Sequence, residues 1–225
     1  MTAEIPFEGV VERAAVHRAL GDENRLRLVE CLIHSDRTPG ELAMQTGLAS
    51  NLLAFHLRIL EEVGIVERRQ SEGDARRRYV HLRTGKLDVG SSPHTVGRQE
   101  RILFVCTHNS ARSQFAEAMW RRENGCEAWS AGTSPAKRVH PRAVDAARSH
   151  GIDLSRMRPK GYDAVPGSVD LVVSVCDRAF ESEIAVAGAR MHWSVPDPIL
   201  GGPQAFESAF EEIADRVGRL RGRAR

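Results

Sequence analysis

Long apolar runs are missing from this chain of 225 residues. The longest, ILFVC (Ile102–Cys106) and LVV (Leu171–Val173), fall far short of the roughly 20 residues that a membrane-spanning helix needs, so no membrane contact is expected. The opening MTAEIPFEGVVERAAV has no basic stretch leading into an apolar core, so no secretory leader is expected. Cysteine is scarce. Cys31, Cys106, Cys126 and Cys176 stand at no zinc-like spacing and read as free thiols of a reducing cytoplasm rather than a disulfide framework. Cys126 has no partner by pattern and reads as structural. Charge of one sign is also in short supply. The net charge is +2, with 13 Lys and Arg against 14 Asp and Glu in residues 1–95 and 19 against 16 thereafter. Any nucleic-acid contact therefore has to come from local clusters. Repeats and low-complexity tracts are absent. What is present is an ordinary core-forming composition, 41% hydrophobic and 28% charged, sufficient for one large domain or two small ones.

The segment TGKLDVGSSPHTVGRQ, Thr84–Gln99, is rich in Gly, Ser and Pro and lacks periodicity. It reads as a linker (84–99) between a domain at 1–83 and another at 100–225. The first is mostly helical: Val16, Ala19, Leu20, Leu26, Val29, Leu32 and Ile33 recur at helical spacing. Thr38-Pro39-Gly40-Glu41 predicts a capping box opening a short helix that stops at Gly47. A second helix is predicted from Ser50 to Val63, with Leu53, Leu57 and Leu60 on one face and Gly64 ending it. IVERRQ, the turn SEGDA and RRRYVHL predict a hairpin. After the linker, strands and helices alternate: RILFVC, a helix at Ser113–Glu123, EAWSAG, a helix at Pro141–His150, VDLVVSVC, and a helix at Gln204–Arg221. That alternation predicts an α/β domain with a central parallel sheet.

Two helices about a glycine turn, followed by a basic hairpin, have the order of a winged helix-turn-helix. The second helix would present Ser50, Asn51, Ala54, Phe55, His56 and Arg58 to the major groove. Arg68, Arg69, Arg76, Arg77 and Arg78 would follow phosphates beside it. The plainer alternative is a helical domain whose arginines form a solvated face. LGDENRLRLV, HLRILEEVGIV and the basic wing resemble the ArsR/SmtB family of metal- and metalloid-responsive repressors. The resemblance implies a homodimer on palindromic operator DNA, released by an effector. Arsenic-sensing members carry a Cys-x-Cys in the first helix of the motif; here that helix reads ELAMQTGL. The only thiol of this domain is Cys31, which reads as a small core residue, and His17, His34, His56 and His81 read as surface or DNA-facing groups. Which residues, if any, hold a metal or arsenite is left open.

The sharpest pattern is RILFVC-THNSA-RS, Arg101–Ser113. Cys106 ends a buried strand, and Thr107, His108, Asn109, Ser110 and Ala111 lead to Arg112 and a helix. Such a loop turns its backbone N–H groups inward as an anion cradle. Arg112 adds a two-pronged donor for a tetrahedral oxyanion. The helix dipole, the amides and the Ser113 hydroxyl favour thiolate at Cys106, and Asn109 and Ser110 can brace the loop. Thiolate attack on a phosphate-like or arsenate-like group also wants an acid for the departing oxygen. Asp197, between two prolines in WSVPDP, is the candidate.

FVCTHNSARSQFAEA, SAGTSPAKRVHPRAVDAARSHGID, VDLVVSVCD and HWSVPDP resemble the low-molecular-weight tyrosine phosphatase fold, and within it the arsenate reductases. The resemblance implies Cys106 as nucleophile, Arg112 as oxyanion clamp, Ser113 as the hydroxyl that stabilises the thiolate and Asp197 as acid. Phosphatases of this fold usually have Pro where Gln114 stands, and an aromatic pair where Ile199 and Leu200 follow the acid; both differences favour arsenate. Cys176 stands where the three-cysteine reductases have their second thiol, but Glu183 replaces the third. Cys176 therefore reads either as a resolving thiol or as a buried strand-end residue.

Together these readings describe a cytoplasmic DNA-binding repressor fused to an arsenate reductase, with arsenate as substrate and arsenite as product. No bound cofactor is expected. The reductant implied is an external thiol, mycothiol or glutathione with a glutaredoxin-like partner, in preference to thioredoxin. The alternatives are a regulator fused to a tyrosine phosphatase, or a non-catalytic oxyanion sensor controlling the DNA-binding half.

Overall fold

The computed structural model describes residues 9–83, 101–124 and 127–221. The predicted linker at 84–99 and Cys126 lie outside the described residues.

The first domain runs α1 (Val10–Leu20), α2 (Glu23–Leu32), α3 (Pro39–Thr46), α4 (Ser50–Glu62), β1 (Val66–Gln70) and β2 (Arg78–Leu82). The helical periodicity breaks at Gly21, and Asp22 opens α2 by accepting from the Arg25 amide at 3.0 Å. Thr38 and Glu41 form the expected capping box, an arrangement worth about 1 kcal/mol. Gly47 and Gly64 both take the left-handed conformation at φ 71° that ends a helix. Leu28, Leu32, Leu42, Leu53, Leu57 and Leu60 close over Ile65, Val66, Val80 and Leu82 of the hairpin. β1 and β2 pair antiparallel from Val66↔Leu82 to Gln70↔Arg78.

The second domain runs β3 (Arg101–Cys106), α5 (Arg112–Asn124), β4 (Glu127–Gly132), α6 (Pro141–Ser149), β5 (Ser168–Ser174), α7 (Asp177–Phe180), β6 (Ala187–His192) and α8 (Gly202–Arg221). Its four strands are all parallel, in the order β4-β3-β5-β6. β3 from Ile102 and β5 from Leu171 are buried to their carboxyl ends, as the apolar runs ILFVC and LVV predict, while Asp170 of β5 is exposed. The chain leaves β3 toward β4 and returns past it to β5, so the crevice between the carboxyl ends of β3 and β5 is the topological switch point where such sheets bind ligands. Cys106 and Cys176 both stand at that end.

The two domains are joined by buried polar contacts. Asp36 Oδ2 accepts from Arg216 Nη2 at 2.8 Å and from the Ser194 amide at 2.6 Å. Trp193 Nε1 donates to His34 O at 2.8 Å. Arg69 Nη1 reaches Glu212 at 2.8 Å. Among the described residues no helix is long and apolar enough to cross a membrane.

Candidate active site

The loop after β3 wraps around one sulfur atom. The Asn109 amide donates to Cys106 Sγ at 3.2 Å, and Ser113 Oγ stands 3.0 Å from it. Asn109 takes φ 47°, a left-handed turn that Asn tolerates better than most residues. Its side chain fixes that turn from four directions. Nδ2 donates to Ser113 Oγ and to Ser130 Oγ, both at 2.8 Å, while Oδ1 accepts from the Lys160 amide at 2.9 Å and from Gln114 Nε2 at 3.0 Å. Ser113 Oγ accepts from Asn109 and has its own hydrogen to give to a thiolate at Cys106. Behind this layer, the carboxylate of Glu117, buried on α5, accepts from Ser130 and pairs with Lys160 Nζ at 3.1 Å. At the end of β4, Gly132 leaves room for the loop: a Cβ there would lie 2.8 Å from Thr107 O.

Arg112 is buried at the start of α5. Its Nη1 donates to Val195 O at 2.7 Å, and its Nη2 lies 3.4 Å from Asp197 Oδ2. Burial alone would lower the pKa of this guanidinium. The Cys176 and Cys106 sulfurs and the Asp197 and Glu72 carboxylates outweigh it and push the pKa up. Asp197 caps a short 3-10 turn, Pro198–Gly201, by accepting from the Ile199 amide at 3.2 Å. The structure thus brings Cys106, Arg112, Ser113 and Asp197 into one crevice. Thr107 and His108 are half-buried around it, and Ser110 and Ala111 are buried.

Cys176 lies beside the same crevice, its Sγ 3.5 Å from Thr107 Oγ1. Burial pushes its thiol pKa up, against the opposing pull of Arg112. A raised pKa keeps it protonated at neutral pH and lowers the thiolate fraction available for attack. Glu183 is exposed.

One residue of the crevice comes from the other domain. Glu72, in the turn between β1 and β2, places Oε2 3.3 Å from Arg112 Nη1, and its Oε1 accepts from the Asp197 amide. No motif points to it; the one hint is a pair of acids, Glu72 and Asp74, in the turn of a mostly basic hairpin. Gln114, Glu117 and Lys160 support the loop through contacts that span up to 51 residues of sequence, which no local pattern carries.

On the candidate DNA-facing side, Ser50, Asn51, Ala54 and Arg58 are exposed along α4, and Arg76, Arg77 and Arg78 are exposed at the far end of the hairpin. Arg68 pairs with Glu61 at 2.8 Å. Three expectations need correction. His81 is buried at the domain interface, with Nδ1 3.1 Å from Asp36 Oδ1, rather than surface or DNA-facing. His56 is buried at 4% exposure, with Nδ1 3.6 Å from Asp22, because it faces the helical core rather than the outer face of α4. Arg69 faces the second domain, where Glu67, Glu212 and the Ser194 carbonyl hold its guanidinium, so it is not free for phosphate. Cys31 is half-buried and lines a surface depression with Arg27, Glu30, Gln45 and Thr46. Among the described residues no three His, Cys, Asp or Glu side chains cluster as a metal site.

The profile of the low molecular weight phosphotyrosine protein phosphatase family matches residues 101–224, and a helix-turn-helix domain profile matches residues 20–69. An arsenate reductase of Bacillus cereus is 34% identical over 128 residues, covering 54% of this chain and 94% of that protein. One from Brevibacillus brevis is 35% identical over 129 residues, with the same coverage of each chain. A solved arsenate reductase from Archaeoglobus fulgidus is similar at 28% identity and a TM-score of 0.47, covering 53% of this chain and 97% of that one.

Proposed function

Through residues 101–224 the chain belongs to the low molecular weight phosphotyrosine protein phosphatase family, and from that premise we propose that it is a DNA-binding transcriptional repressor fused to an arsenate reductase. The observation that carries the enzymatic half is the loop itself: two donors converge on Cys106 Sγ, with Arg112 and Asp197 at its mouth. The choice of arsenate over an aryl phosphate rests on the walls. Where a phosphotyrosine ring would need stacking partners, Ile199 and Leu200 are exposed aliphatics, and the Glu72 carboxylate stands 3.3 Å from Arg112 beside the loop. The curated relatives named arsenate reductase support the same reading.

In this mechanism Arg112 and the loop amides bind the oxyanion, and Cys106 attacks arsenic. An arsenic–sulfur bond forms, an arsenic–oxygen bond breaks, and Asp197 delivers the proton with which that oxygen leaves as water. A second thiol then attacks the Cys106 sulfur. The arsenic–sulfur bond electrons pass to arsenic, arsenite departs, and a disulfide is left, so two thiols supply two electrons. The raised pKa of Cys176 favours an external small thiol such as mycothiol or glutathione for that step, with a glutaredoxin-like partner closing the cycle.

The regulatory half rests on the exposed face of α4 and the arginines at the hairpin end, acting as a homodimer on operator DNA. Two assays test the proposal. Arsenate reduction with a small thiol is measured beside hydrolysis of p-nitrophenyl phosphate; hydrolysis without reduction would favour a phosphatase. Operator binding is measured with the full chain; no specific binding at physiological salt would remove the repressor.

A further inference from the structure

The turn of the wing is built into the catalytic crevice rather than resting near it. Glu72 donates its backbone amide to Asp177 Oδ2 at 2.9 Å and receives Arg178 Nε on its carbonyl at 3.0 Å. On either side, Ser71 Oγ and Tyr79 Oη both donate to Glu181 Oε1, at 2.8 and 2.9 Å. Gly73 allows the close approach: a Cβ there would lie 3.3 Å from the Arg178 Cα and would displace the Glu181 carboxylate. These contacts all fall on α7 and the residue after it, immediately past Cys176. They leave the Glu72 carboxylate aimed at Arg112 and the Asp197 amide, with its side chain 25% exposed against 6% for Arg112.

A carboxylate and a tetrahedral oxyanion ask for the same donors. Arg112 Nη1 is already committed to Val195 O and Glu72, and Nη2 to Asp197. A doubly charged oxyanion seated in the loop would meet the Glu72 charge across a few ångströms of partly dry protein, where like charges repel strongly. We propose that Glu72 is a tethered competitor for the oxyanion: the wing inserts its carboxylate where substrate must bind, so the DNA-binding domain sets the apparent affinity and the access of the catalytic pocket. This rests on the reading of Cys106 and Arg112 as the oxyanion site, but not on arsenate being reduced there.

The test uses the full chain and inorganic phosphate, which binds without turning over. Titration calorimetry gives the phosphate affinity, and the rate of Cys106 alkylation by iodoacetamide, located by mass spectrometry, gives access to the sulfur. Glu72→Gln keeps the size of the side chain and removes the charge. Losing one charge-assisted bond to Arg112 predicts phosphate binding about tenfold tighter, with faster alkylation in the absence of phosphate. Under turnover, KM for arsenate falls together with the phosphate Kd, whereas loss of a purely structural contact at Arg112 and Asp197 would raise both. Glu181→Gln loosens the anchors at Ser71 and Tyr79 without touching Arg112, and moves both readouts the same way by a smaller factor. This second variant keeps the question open to test if Glu72→Gln folds poorly. Unchanged phosphate affinity and unchanged alkylation in both variants overturn the proposal. Tighter phosphate binding in a protein that reduces no arsenate would sustain it and sink the reductase reading instead.

Discussion

Replacing Asp36 with Ala should separate the two domains energetically. Asp36 and Arg216 sit at the interface with side chains 1% and 3% exposed, and Asp36 Oδ2 accepts from both Arg216 and the Ser194 amide. Asp36→Ala leaves a buried amide without an acceptor, which costs about 1–3 kcal/mol. It also removes one partner of a buried ion pair, a loss of about 3–5 kcal/mol when nothing remains. Here Glu212 stays beside Arg216 at 2.8 Å, so the second loss falls at or below the low end of that range. The two losses belong to one network and do not add fully; together they come to about 4 kcal/mol, a large part of the roughly 5–15 kcal/mol that holds an ordinary domain. Asp36→Asn keeps an acceptor for Ser194 and should cost about half as much. Acid should act in the same direction. Burial, with the Arg216 and Arg69 charges, outweighs Asp36 and holds the His81 pKa below 6.5. A folded-state pKa below the unfolded value means that the unfolded chain binds the proton more readily, so stability is lost as pH falls below about 6.5. The assay is urea unfolding followed by circular dichroism and by tryptophan fluorescence in a Trp120→Phe, Trp129→Phe background, which leaves Trp193, whose indole donates to His34 O across the interface. A single transition in the parent should weaken, or split in two, in Asp36→Ala. A loss under about 1 kcal/mol, the size of a surface ion pair, would refute the account of this interface.

Arg112→Lys should lose most activity despite its unchanged charge, because an ammonium cannot reach Val195 O, Asp197 and an oxyanion together; steady-state arsenate kinetics read this directly. Gly132→Ala should cost about tenfold or more in oxyanion affinity, since its methyl would collide with Thr107 O and push the loop off Cys106; phosphate titration is the check. Replacing Arg77 and Arg78 with Ala should weaken binding to all DNA sequences and flatten its salt dependence, whereas Asn51→Ala should alter sequence preference; mobility shifts over a salt series distinguish the two.

Much of this architecture was legible because it is local. Thr38 and Glu41 cap α3 through side chains three residues apart, and Gly47 ends it with a left-handed turn. The loop from Cys106 to Ser113 closes on itself within eight residues, so residue type and spacing carry its chemistry. β6 carries no local signal: Ala187-Gly-Ala-Arg-Met-His192 is an edge strand, mostly exposed, with neither apolar alternation nor β-branched residues. His56 turns inward against expectation because helical spacing gives the apolar stripe of α4 but not its edges, and a histidine fits either side. Arg69 and Glu72 were beyond reach for another reason. Each acts through partners 40–143 residues away in the other domain, and nothing in a basic hairpin says which of its charges will turn inward.

The most direct measurement of the central claim is arsenite production by the full chain and by Cys106→Ser, each supplied with arsenate and a small thiol, with phosphate binding measured on the same samples. Turnover is expected in the parent and none in the variant, with phosphate still bound by both, because a serine keeps the shape of the loop but is a far poorer nucleophile at neutral pH. Arsenite formed at the parent rate by Cys106→Ser would contradict it.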